Sequence, residues 1–359
     1  NNKLFLSYTA YIIITGISIF VAENKPEALI TYAKYITYFL TFTVFWIFSK
    51  FSKINLTDLF FKLILISIVI ESSSVVFSVY DAIIVNGAEF YRSNDYRGLS
   101  ANINITAFSL VLKSPVVVFY LFNSNKRLIT VLCYFILFMT SSALFFLLTR
   151  GAFLAFIIII LSLFTYMLIR NSRANYKKVL VCLVVFFTSY SFTNTIMGSN
   201  ESNVVIDRVS TLRLNNEDES INQRLRYYSA AIMSIKKNPV LGVGVGNWKF
   251  ISIKYDSKKI SEYTVPYYVH NDFLQIGAET GILGMLFYIA FMFTPLLIVL
   301  KKIYLSKETF FEITLLAILS VCIIDSLLNF PVGRPISHVL LIFLIVLFNE
   351  VNLNHKTKK

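Results

Sequence analysis

One histidine stands where a polar segment meets a long apolar stretch, and this position suits acid–base chemistry. The segment reads His270-Asn271-Asp272 and runs directly into hydrophobic residues. A neutral imidazole accepts a proton from a hydroxyl group near neutral pH. The chain has two other histidines: His338 lies in a hydrophobic run and His355 in the C-terminal tail. We therefore predict His270 as a catalytic base, the alternative being a structural hydrogen-bonding role.

Arginines are the second candidate group, because the planar guanidinium matches the geometry of phosphate oxygens. Arg150 occupies a short turn between two hydrophobic runs, Arg224 borders an amphipathic stripe, and Arg97 follows another run. These three are predicted to bind an anionic group of a substrate. The alternative for each is a loop arginine whose stem lies along apolar surface. Further arginines occur in the same predicted outer loops: Arg92, Arg208, Arg213 and Arg226.

The elements that must position these residues are membrane helices. Hydrophobic residues make up 56% of the 359-residue chain and charged residues 15%, and the mean hydropathy is +0.68. This composition predicts an all-α, polytopic transmembrane helix bundle, because apolar runs of about 20 residues span a bilayer. Ten spans are predicted, at residues 4–22, 28–49, 59–83, 103–123, 128–148, 152–170, 179–197, 274–300, 310–329 and 336–349.

Lysines and arginines predict the orientation of this bundle. Alternate loops are rich in them, for example at Lys50, Lys126 and Lys301, and by the positive-inside rule those loops are cytoplasmic. Both termini and the tail 350–359 are then cytoplasmic. Spans 1–7 fall within 1–197, an external loop within 198–272, and spans 8–10 within 273–349. Because the formal charge of +13 resides largely in short loops, no nucleic-acid partner is predicted.

The external segment 198–272 is too long for a simple connector and is predicted to carry function. Apolar residues recur at helical spacing within it, which predicts an amphipathic helix at 220–237 that lies in the membrane interface. The apolar stripe consists of Ile221, Leu225, Tyr228, Ile232 and Ile235. The glycine-rich run 242–246 is predicted as a turn and not as a nucleotide loop, because no Gly-Lys-Ser/Thr follows it.

The eighth span is predicted to start with a cap and to continue as a closely packed helix. Asn271 or Asp272 is expected to accept from the free N–H groups of the first turn. Small residues recur at helical spacing and are expected to let neighbouring helices approach: Gly277, Gly281 and Gly284. Polar residues share one face and are expected to line a polar crevice or to bond across helices: Asp272, Gln275 and Glu279.

Two opposite charges are predicted at similar depth in adjacent spans. Glu71 and Lys113 are expected to form a structural ion pair, with a proton relay as the alternative. The outer loops show no spacing of metal ligands, so neither a metal nor a cofactor is predicted. The cysteines are expected to be small core residues: Cys133, Cys182 and Cys322.

These motifs resemble the bacterial O-antigen ligase and polymerase superfamily. Its ligases carry His, then Asn, Ser or Gln, nine residues, Gly, two residues and Gly, which the stretch from His270 and Asn271 to Gly281 and Gly284 matches. Three further stretches are similar to other motifs of that superfamily: Arg150 to Leu154, Arg224 with Tyr228 and Pro239 to Gly244, and Arg97-Gly98 with Asn102 and Asn104.

The resemblance implies a GT-C-like membrane glycosyltransferase of the bacterial inner membrane, with its active site on the outer side. It implies an undecaprenyl-diphosphate-linked glycan as donor and lipid A core or another glycan as acceptor, both met at the membrane lipid. Arg150, Arg224 and Arg97 would bind the diphosphate, and His270 would be the base of an inverting transfer. Supporting roles fall to Asn271, Asp272, Tyr228, Gly281 and Gly284. A polymerase, an O-oligosaccharyltransferase and, as a non-enzyme, a flippase for lipid-linked glycans remain alternatives.

Overall fold

The computed structural model describes residues 2–52, 54–87, 90, 94–100, 102–197, 219–256, 266–305 and 309–357. Within these residues the secondary structure is all-helical, as predicted. Nine helices there are long and apolar enough to cross a membrane, and Pro335–Leu347 is a shorter apolar helix at the place of the tenth predicted span. The predicted polytopic helix bundle is confirmed. Three of the arginines singled out above lie outside the described residues: Arg92, Arg208 and Arg213.

Twelve helices are labelled here in chain order over the described residues. They are α1 (Asn2–Ile17), α2 (Lys25–Phe51), α3 (Leu56–Tyr80), α4 (Ile103–Asn123), α5 (Arg127–Leu147), α6 (Arg150–Arg170), α7 (Asn175–Met197), α8 (Glu219–Lys237), α9 (Trp248–Asp256), α10 (Asp272–Tyr304), α11 (Phe310–Leu328) and α12 (Pro335–Thr357). Helix α8 lies over the stretch predicted as an amphipathic helix at 220–237.

Helices α6 and α7 form a hairpin, although the backbone is helical throughout Arg150–Met197. The rings of Phe156 and Phe186 lie 5.7 Å apart. In one straight helix the two residues would be separated by about 45 Å along the axis. The chain therefore folds back between the two helices, and the Asn175 side chain donates to the carbonyl of Met167 at 3.0 Å beside the reversal.

The chain divides into two compact units. Unit 1 comprises Asn1–Ile54, Leu214–Glu308 and Cys322–Lys359. In it α1 packs on α10, and α2 packs on α12. Its core is aromatic: the rings of Tyr8 and Phe291 stack at 4.3 Å, and the Tyr8 hydroxyl lies 3.0 Å from Nε2 of His338. His338 is thus a core residue of unit 1.

Unit 2 comprises Asn55–Arg213 and Thr309–Val321. Helix α4 is its centre, because it packs on α3, α5 and α6 and is the most buried of the candidate spans. Glu71 of α3 and Lys113 of α4 form an ion pair of 2.5 Å between Oε2 and Nζ. The predicted pairing of Glu71 with Lys113 is confirmed. The three cysteines of the chain are buried and not disulfide-bonded, as expected of core residues.

The hairpin of α6 and α7 gives a test with two adjacent phenylalanines. Phe186 contacts Phe156 and Phe164, whereas the neighbouring Phe187 is 70% exposed. Phe186→Ala should lower the free energy of unfolding by about 2–4 kcal/mol, since it removes ring contacts between the two helices. Phe187→Ala should leave it nearly unchanged. Thermal unfolding of the purified variants in detergent measures the difference, and equal losses would contradict the hairpin.

Candidate functional site

The polar segment ahead of α10 is fixed by its own side chains. Asn271 caps the helix, because its Oδ1 accepts from the N–H of Leu274 at 3.0 Å. The expected cap is therefore confirmed for Asn271. The carboxylate of Asp272 instead accepts from the backbone N–H of Val332 at 3.1 Å. This bond ties the start of α10 to the connection between α11 and α12.

His270 has a left-handed backbone conformation, with φ of 60°. Non-glycine residues adopt it rarely, and they do so most often at functional sites, where the surrounding structure holds the strain. Here the hydroxyl of Tyr228 supplies that support: it lies 3.0 Å from the carbonyl oxygen of His270 and 3.0 Å from that of Leu327. Since a phenol has one proton, the two carbonyls share this donor. Tyr228 thereby joins α8, the histidine and the end of α11.

Aromatic rings surround the imidazole of His270. Its ring stacks on Tyr227 at 6.4 Å and meets Phe330 edge-on at 5.2 Å. Phe330 in turn stacks on Tyr268 at 3.9 Å, and the guanidinium of Arg334 lies 4.3 Å from the centre of the Phe330 ring. The Nδ1 atom of His270 is buried and has no hydrogen-bond partner among the described residues. Nδ1 is thus an unpaired buried atom, while the His270 residue as a whole is partly exposed.

The charge state of His270 follows from this environment. Burial, followed by the positive charges of Arg224 and Arg334, lowers its pKa to about 4. Each effect disfavours the protonated imidazolium. The imidazole is thus neutral at physiological pH, which is the form that accepts a proton. Burial is the larger of the two causes.

Arg334 is a site residue that the sequence did not reveal. It follows the turn after α11, stacks on Phe330 and lies 3.9 Å from the carboxylate of Asp325. Asp325 also accepts from the side chain of Asn329 at 2.7 Å. The available signal was weak: Arg334 is a cation in a short loop of the side predicted to hold few cations.

Helix α10 is broken at Gly281, where φ is 74° and ψ is −179°. The expectation of a continuous helix through Gly277, Gly281 and Gly284 was therefore wrong at the middle glycine. The break frees the carbonyls of Ala278 and Glu279 and the N–H of Ile282 from helical bonding. A Cβ atom on Gly281 would collide with the carbonyl of Val240, so only glycine fits.

The glycine-rich turn supplies partners for the broken helix. Val243 and Gly244 donate their N–H groups to the carbonyls of Ala278 and Glu279, both at 2.9 Å, and Ile282 donates to the carbonyl of Pro239 at 2.8 Å. These bonds replace those that the helix loses at Gly281. The turn and the His270 motif, which are separate in sequence, therefore form one structure.

Every backbone N–H from Gly242 to Asn247 has a protein acceptor. The acceptors are, in order, the carbonyls of Asn238, Ala278 and Glu279, the hydroxyl of Ser18, the carboxylate of Glu279 and the carbonyl of Gly244. A phosphate-binding loop directs such N–H groups at its ligand. None of these six is free to do so, which confirms that the run is a turn and not a nucleotide site.

A polar cavity of about 130 Å³ lies in unit 1 beside the start of α10. Asp272, Gln275 and Glu279 line it, which confirms the predicted polar crevice. Glu279 is 5% exposed, and its carboxylate accepts from Gly246 at 2.9 Å and from the Gln275 amide at 3.4 Å. Two lysines also line the cavity: Lys34 donates to the carbonyl of Gly333 at 2.9 Å, and Lys249 pairs with a carboxylate of α2 at 2.8 Å.

The buried face of α8 coincides only in part with the predicted stripe. Three residues outside the stripe are buried: Tyr227, Ala230 and Ala231. Of the stripe, Tyr228 and Ile235 pack against the core that contains Ala230 and Ala231, whereas Leu225 and Ile232 are exposed. Small side chains allow the close approach of α8 to α10. The predicted stripe thus contributes one part to the packed face and leaves another part exposed.

Two of the predicted arginines lie in unit 2. Arg97 precedes α4, and Arg150 begins α6 after Leu148, which has a left-handed conformation with φ of 46°. Their segments are joined through α4, since the Thr149 hydroxyl lies 3.4 Å from Oδ1 of Asn104. Arg97 is exposed and Arg150 is half-buried. Unit 2 therefore carries both cations beside the first turn of α4.

The structure gives each predicted site residue a place within its own unit. Unit 1 brings together Arg224, Tyr228, His270, Asn271 and Asp272. Gly281 and Gly284 of α10 belong to the same unit and are buried. Unit 2 contains Arg97 and Arg150, and the joint action of the two sets stays a prediction.

A family model matches the central part of the chain. Residues 134–289 match a family model described as O-Antigen ligase. The matched region includes Arg150, Arg224 and His270, whereas Arg97 and Arg334 lie outside it. No curated protein matches the chain. The match supports, over these residues, the resemblance inferred from the sequence.

The break in α10 gives a test by glycine substitution. Gly87 has a similar φ of 67° but no atom within 4 Å of a Cβ atom, so Gly87→Ala should cost only about 1–2 kcal/mol of backbone strain. Gly281→Ala should cost about 2–3 kcal/mol more, because the Val240 carbonyl must move and the turn lose its bonds. Thermal unfolding of both variants measures the loss of stability. Equal losses would contradict the packing of the turn against the break in α10.

The lowered pKa of His270 predicts a pH-dependent stability. A free imidazole titrates near 6.5, so between that pH and about 4 the unfolded chain binds a proton that the folded chain excludes. The contribution of His270 is therefore fully present above pH 6.5 and is lost as the pH falls towards 4. In His270→Asn, which tolerates the left-handed backbone, the melting temperature should drop less between about pH 7.5 and about pH 5 than in the parent. Identical drops would contradict the assigned pKa.

Proposed function

Because residues 134–289 form an O-antigen ligase-like region, we propose that the chain transfers a glycan from an undecaprenyl-diphosphate donor to a hydroxyl group of an acceptor sugar. The observation that carries the proposal is the imidazole of His270. It is neutral, is held by a strained backbone, and lies within the electrostatic reach of Arg224 and Arg334. A base beside guanidinium groups suits the attack of a hydroxyl on a sugar diphosphate.

The proposed step is a single displacement at the anomeric carbon. The acceptor hydroxyl gives its proton to an imidazole nitrogen of His270 as its oxygen bonds to that carbon. The bond between the anomeric carbon and the diphosphate oxygen breaks, and undecaprenyl diphosphate leaves with the electron pair. Attack from the face opposite the leaving group inverts the configuration. The proton on His270 then passes to solvent.

Arginines have the role of binding the leaving group. Arg150, Arg224 and Arg97 would neutralise the diphosphate and stabilise the charge that grows on the departing oxygen. Arg334 adds to the positive potential at His270. Tyr228 supports the base through the backbone carbonyl of His270, and Asn271 and Asp272 support it at the start of α10. Gly281 and Gly284 support it by determining the path of α10. No metal or cofactor has a role in this step.

The identity of the acceptor distinguishes two kinds of enzyme that carry out this same transfer. A ligase would transfer a finished glycan to lipid A core, and a polymerase or O-oligosaccharyltransferase would use another glycan or acceptor. We place the reaction on the outer side of the bacterial inner membrane, with both termini cytoplasmic, on the basis of loop charges. The glycans of a strain without this protein discriminate the forms: uncapped lipid A core indicates a ligase, and single repeat units indicate a polymerase.

A flippase is the non-enzyme alternative, and the broken α10 is the feature that would favour it. Transporters bind substrates at the freed backbone groups of discontinuous helices. In this protein the groups freed at Gly281 bond to the turn from Pro239 to Gly244. The break therefore offers no free backbone donors to a substrate, and its structural use favours the enzyme.

The test of the proposed function is transfer by purified protein in detergent, where no sealed membrane exists. The parent protein should join lipid-linked glycan, extracted from the membranes of its own cells, to an acceptor from the same cells. His270→Asn should reduce the rate by about 10²- to 10⁴-fold, because the general base is lost while the backbone conformation is kept.

Binding separates the role of the base from that of the arginines. His270→Asn should bind undecaprenyl diphosphate as the parent does, and Arg224→Gln should bind it more weakly. Lys301→Gln, at the far end of α10, is the charge-matched control and should retain both properties, since Lys301 is exposed. Transfer by His270→Asn at the parental rate would exclude the base, and transport without transfer by the parent would favour the flippase.

A further inference from the structure

The buried ion pair of unit 2 also contacts the loop that carries Arg97. Glu71 Oε2 accepts from Nζ of Lys113 at 2.5 Å and from the hydroxyl of Ser109 at 2.9 Å. Its other oxygen, Oε1, accepts from the hydroxyl of Ser100 at 3.3 Å. Ser109 and Lys113 belong to α4, whereas Ser100 belongs to the loop before it. One carboxylate therefore links two helices and a loop.

Stability alone does not account for this pair. Glu71 is 7% exposed and Lys113 is 8% exposed. Removing two such charges from water costs as much as or more than their attraction returns, and apolar pairs of equal volume are often as stable. Ionisable residues inside membrane-spanning helices are expensive and mark functional sites more often than not. The loop contact through Ser100 is the feature that an apolar pair could not provide.

The Arg97 loop is folded against the helices that it joins. The Thr106 hydroxyl, one turn into α4, donates to the carbonyl of Arg97 at 2.5 Å. Gly98 has φ of 64°, and a Cβ atom there would meet Cγ2 of Val75 in α3 at 3.0 Å. The backbone of the loop is thus held on both sides, while the side chain of Arg97 is exposed. This arrangement presents a cation from a fixed backbone.

We propose that Glu71, paired with Lys113, is a positioning residue that holds the Arg97 loop in its binding conformation through Ser100. The inference rests on the proposed role of Arg97 as a ligand of the diphosphate. Non-helical backbone beside membrane helices is stable only where its polar groups are satisfied by protein or water. Glu71 accepts from the Ser100 side chain of this loop from inside the bundle and so sets where Arg97 meets its ligand.

Two serines give a matched experiment, because each donates one hydroxyl to the same carboxylate. The probe is undecaprenyl diphosphate, with undecaprenyl monophosphate as the comparison ligand, bound to the full-length protein in detergent. Ser100→Ala should raise the Kd for the diphosphate by about three- to tenfold, which corresponds to the loss of roughly 1 kcal/mol. Ser109→Ala, which leaves the loop untouched, should bind as the parent does. Ser100→Thr, which keeps the hydroxyl, should restore the affinity.

A double-mutant cycle with Arg97 distinguishes positioning from general stability. If Ser100 acts through Arg97, Ser100→Ala should weaken binding in the parent and have no further effect in Arg97→Gln. A structural effect on the whole unit would add to that of Arg97→Gln. Thermal unfolding of each variant accompanies the binding data.

A second experiment replaces the charged pair with uncharged residues of similar volume, which preserves the packing. Glu71→Gln with Lys113→Met removes both charges but keeps an oxygen that accepts from Ser100, so its Kd should stay within about twofold of the parent. Glu71→Met with Lys113→Met also loses the acceptor and should bind as Ser100→Ala does.

Two results would overturn the inference, and they differ in what else they exclude. Parental binding by Ser100→Ala, alongside weakened binding by Arg97→Gln, would exclude positioning through Ser100 and leave the proposed function in place. Parental binding by Arg97→Gln would exclude Arg97 as a diphosphate ligand and the inference with it. Transfer of glycan that still depends on His270 in that case would preserve the rest of the proposed function.

Discussion

The constraint on which unit 1 depends is the bonding of the backbone groups that α10 frees at Gly281. Inside a membrane protein no water is present to hydrogen-bond such groups, and each unpaired group costs several kcal/mol. The turn from Pro239 to Gly244 supplies two donors and one acceptor at 2.8–2.9 Å. The next two residues, Val245 and Gly246, donate to the hydroxyl of Ser18 and to the carboxylate of Glu279. One short segment after α8 is therefore bonded both to α10 and to the residue that follows α1.

The position of His270, the proposed base, depends on this arrangement. Helix α8 ends at the turn, and its Tyr228 reaches back to the carbonyl of His270. Helix α10 begins just after His270. The turn from Pro239 to Gly244 bonds to this helix at the break at Gly281. The left-handed conformation of His270 is thus held from both sides, as strained residues at functional sites must be. The Asn271 cap and the Asp272 bond to Val332 complete the frame.

Features that depend on local chemistry could be predicted from the sequence. Span length predicted the helices, the side chain of Asn271 predicted the cap, and equal depth in adjacent spans predicted the pair of Glu71 and Lys113. The break at Gly281 could not be predicted, because glycines at helical spacing also occur in continuous membrane helices. Only the distant turn, which competes for the same backbone groups, decides between the two.

Two further features, the packed face of α8 and the place of Arg334, could not be predicted because tertiary contacts determine them. The apolar stripe of α8 is a genuine periodicity, but only part of it packs on the core that contains Ala230 and Ala231, and Leu225 and Ile232 are exposed. Arg334 belongs to the His270 cluster because Phe330 stacks between Tyr268 and the guanidinium, an arrangement that no local pattern encodes. The family match likewise ends before Arg334, at residue 289. Sequence patterns thus indicate which surfaces an element possesses, and packing determines which one it uses.

The fully occupied turn also limits how this protein can bind an anion. Glycine-rich loops that bind phosphate do so with free backbone N–H groups, and here the six from Gly242 to Asn247 are bonded within the protein. In the proposed function the diphosphate is therefore assigned to side chains, for which guanidinium groups are the best suited. A guanidinium at the end of a flexible stem binds strongly only if its backbone is fixed, since ordering that stem costs free energy. The anchoring of the Arg97 loop and the placement of Arg150 at a helix start both meet this requirement.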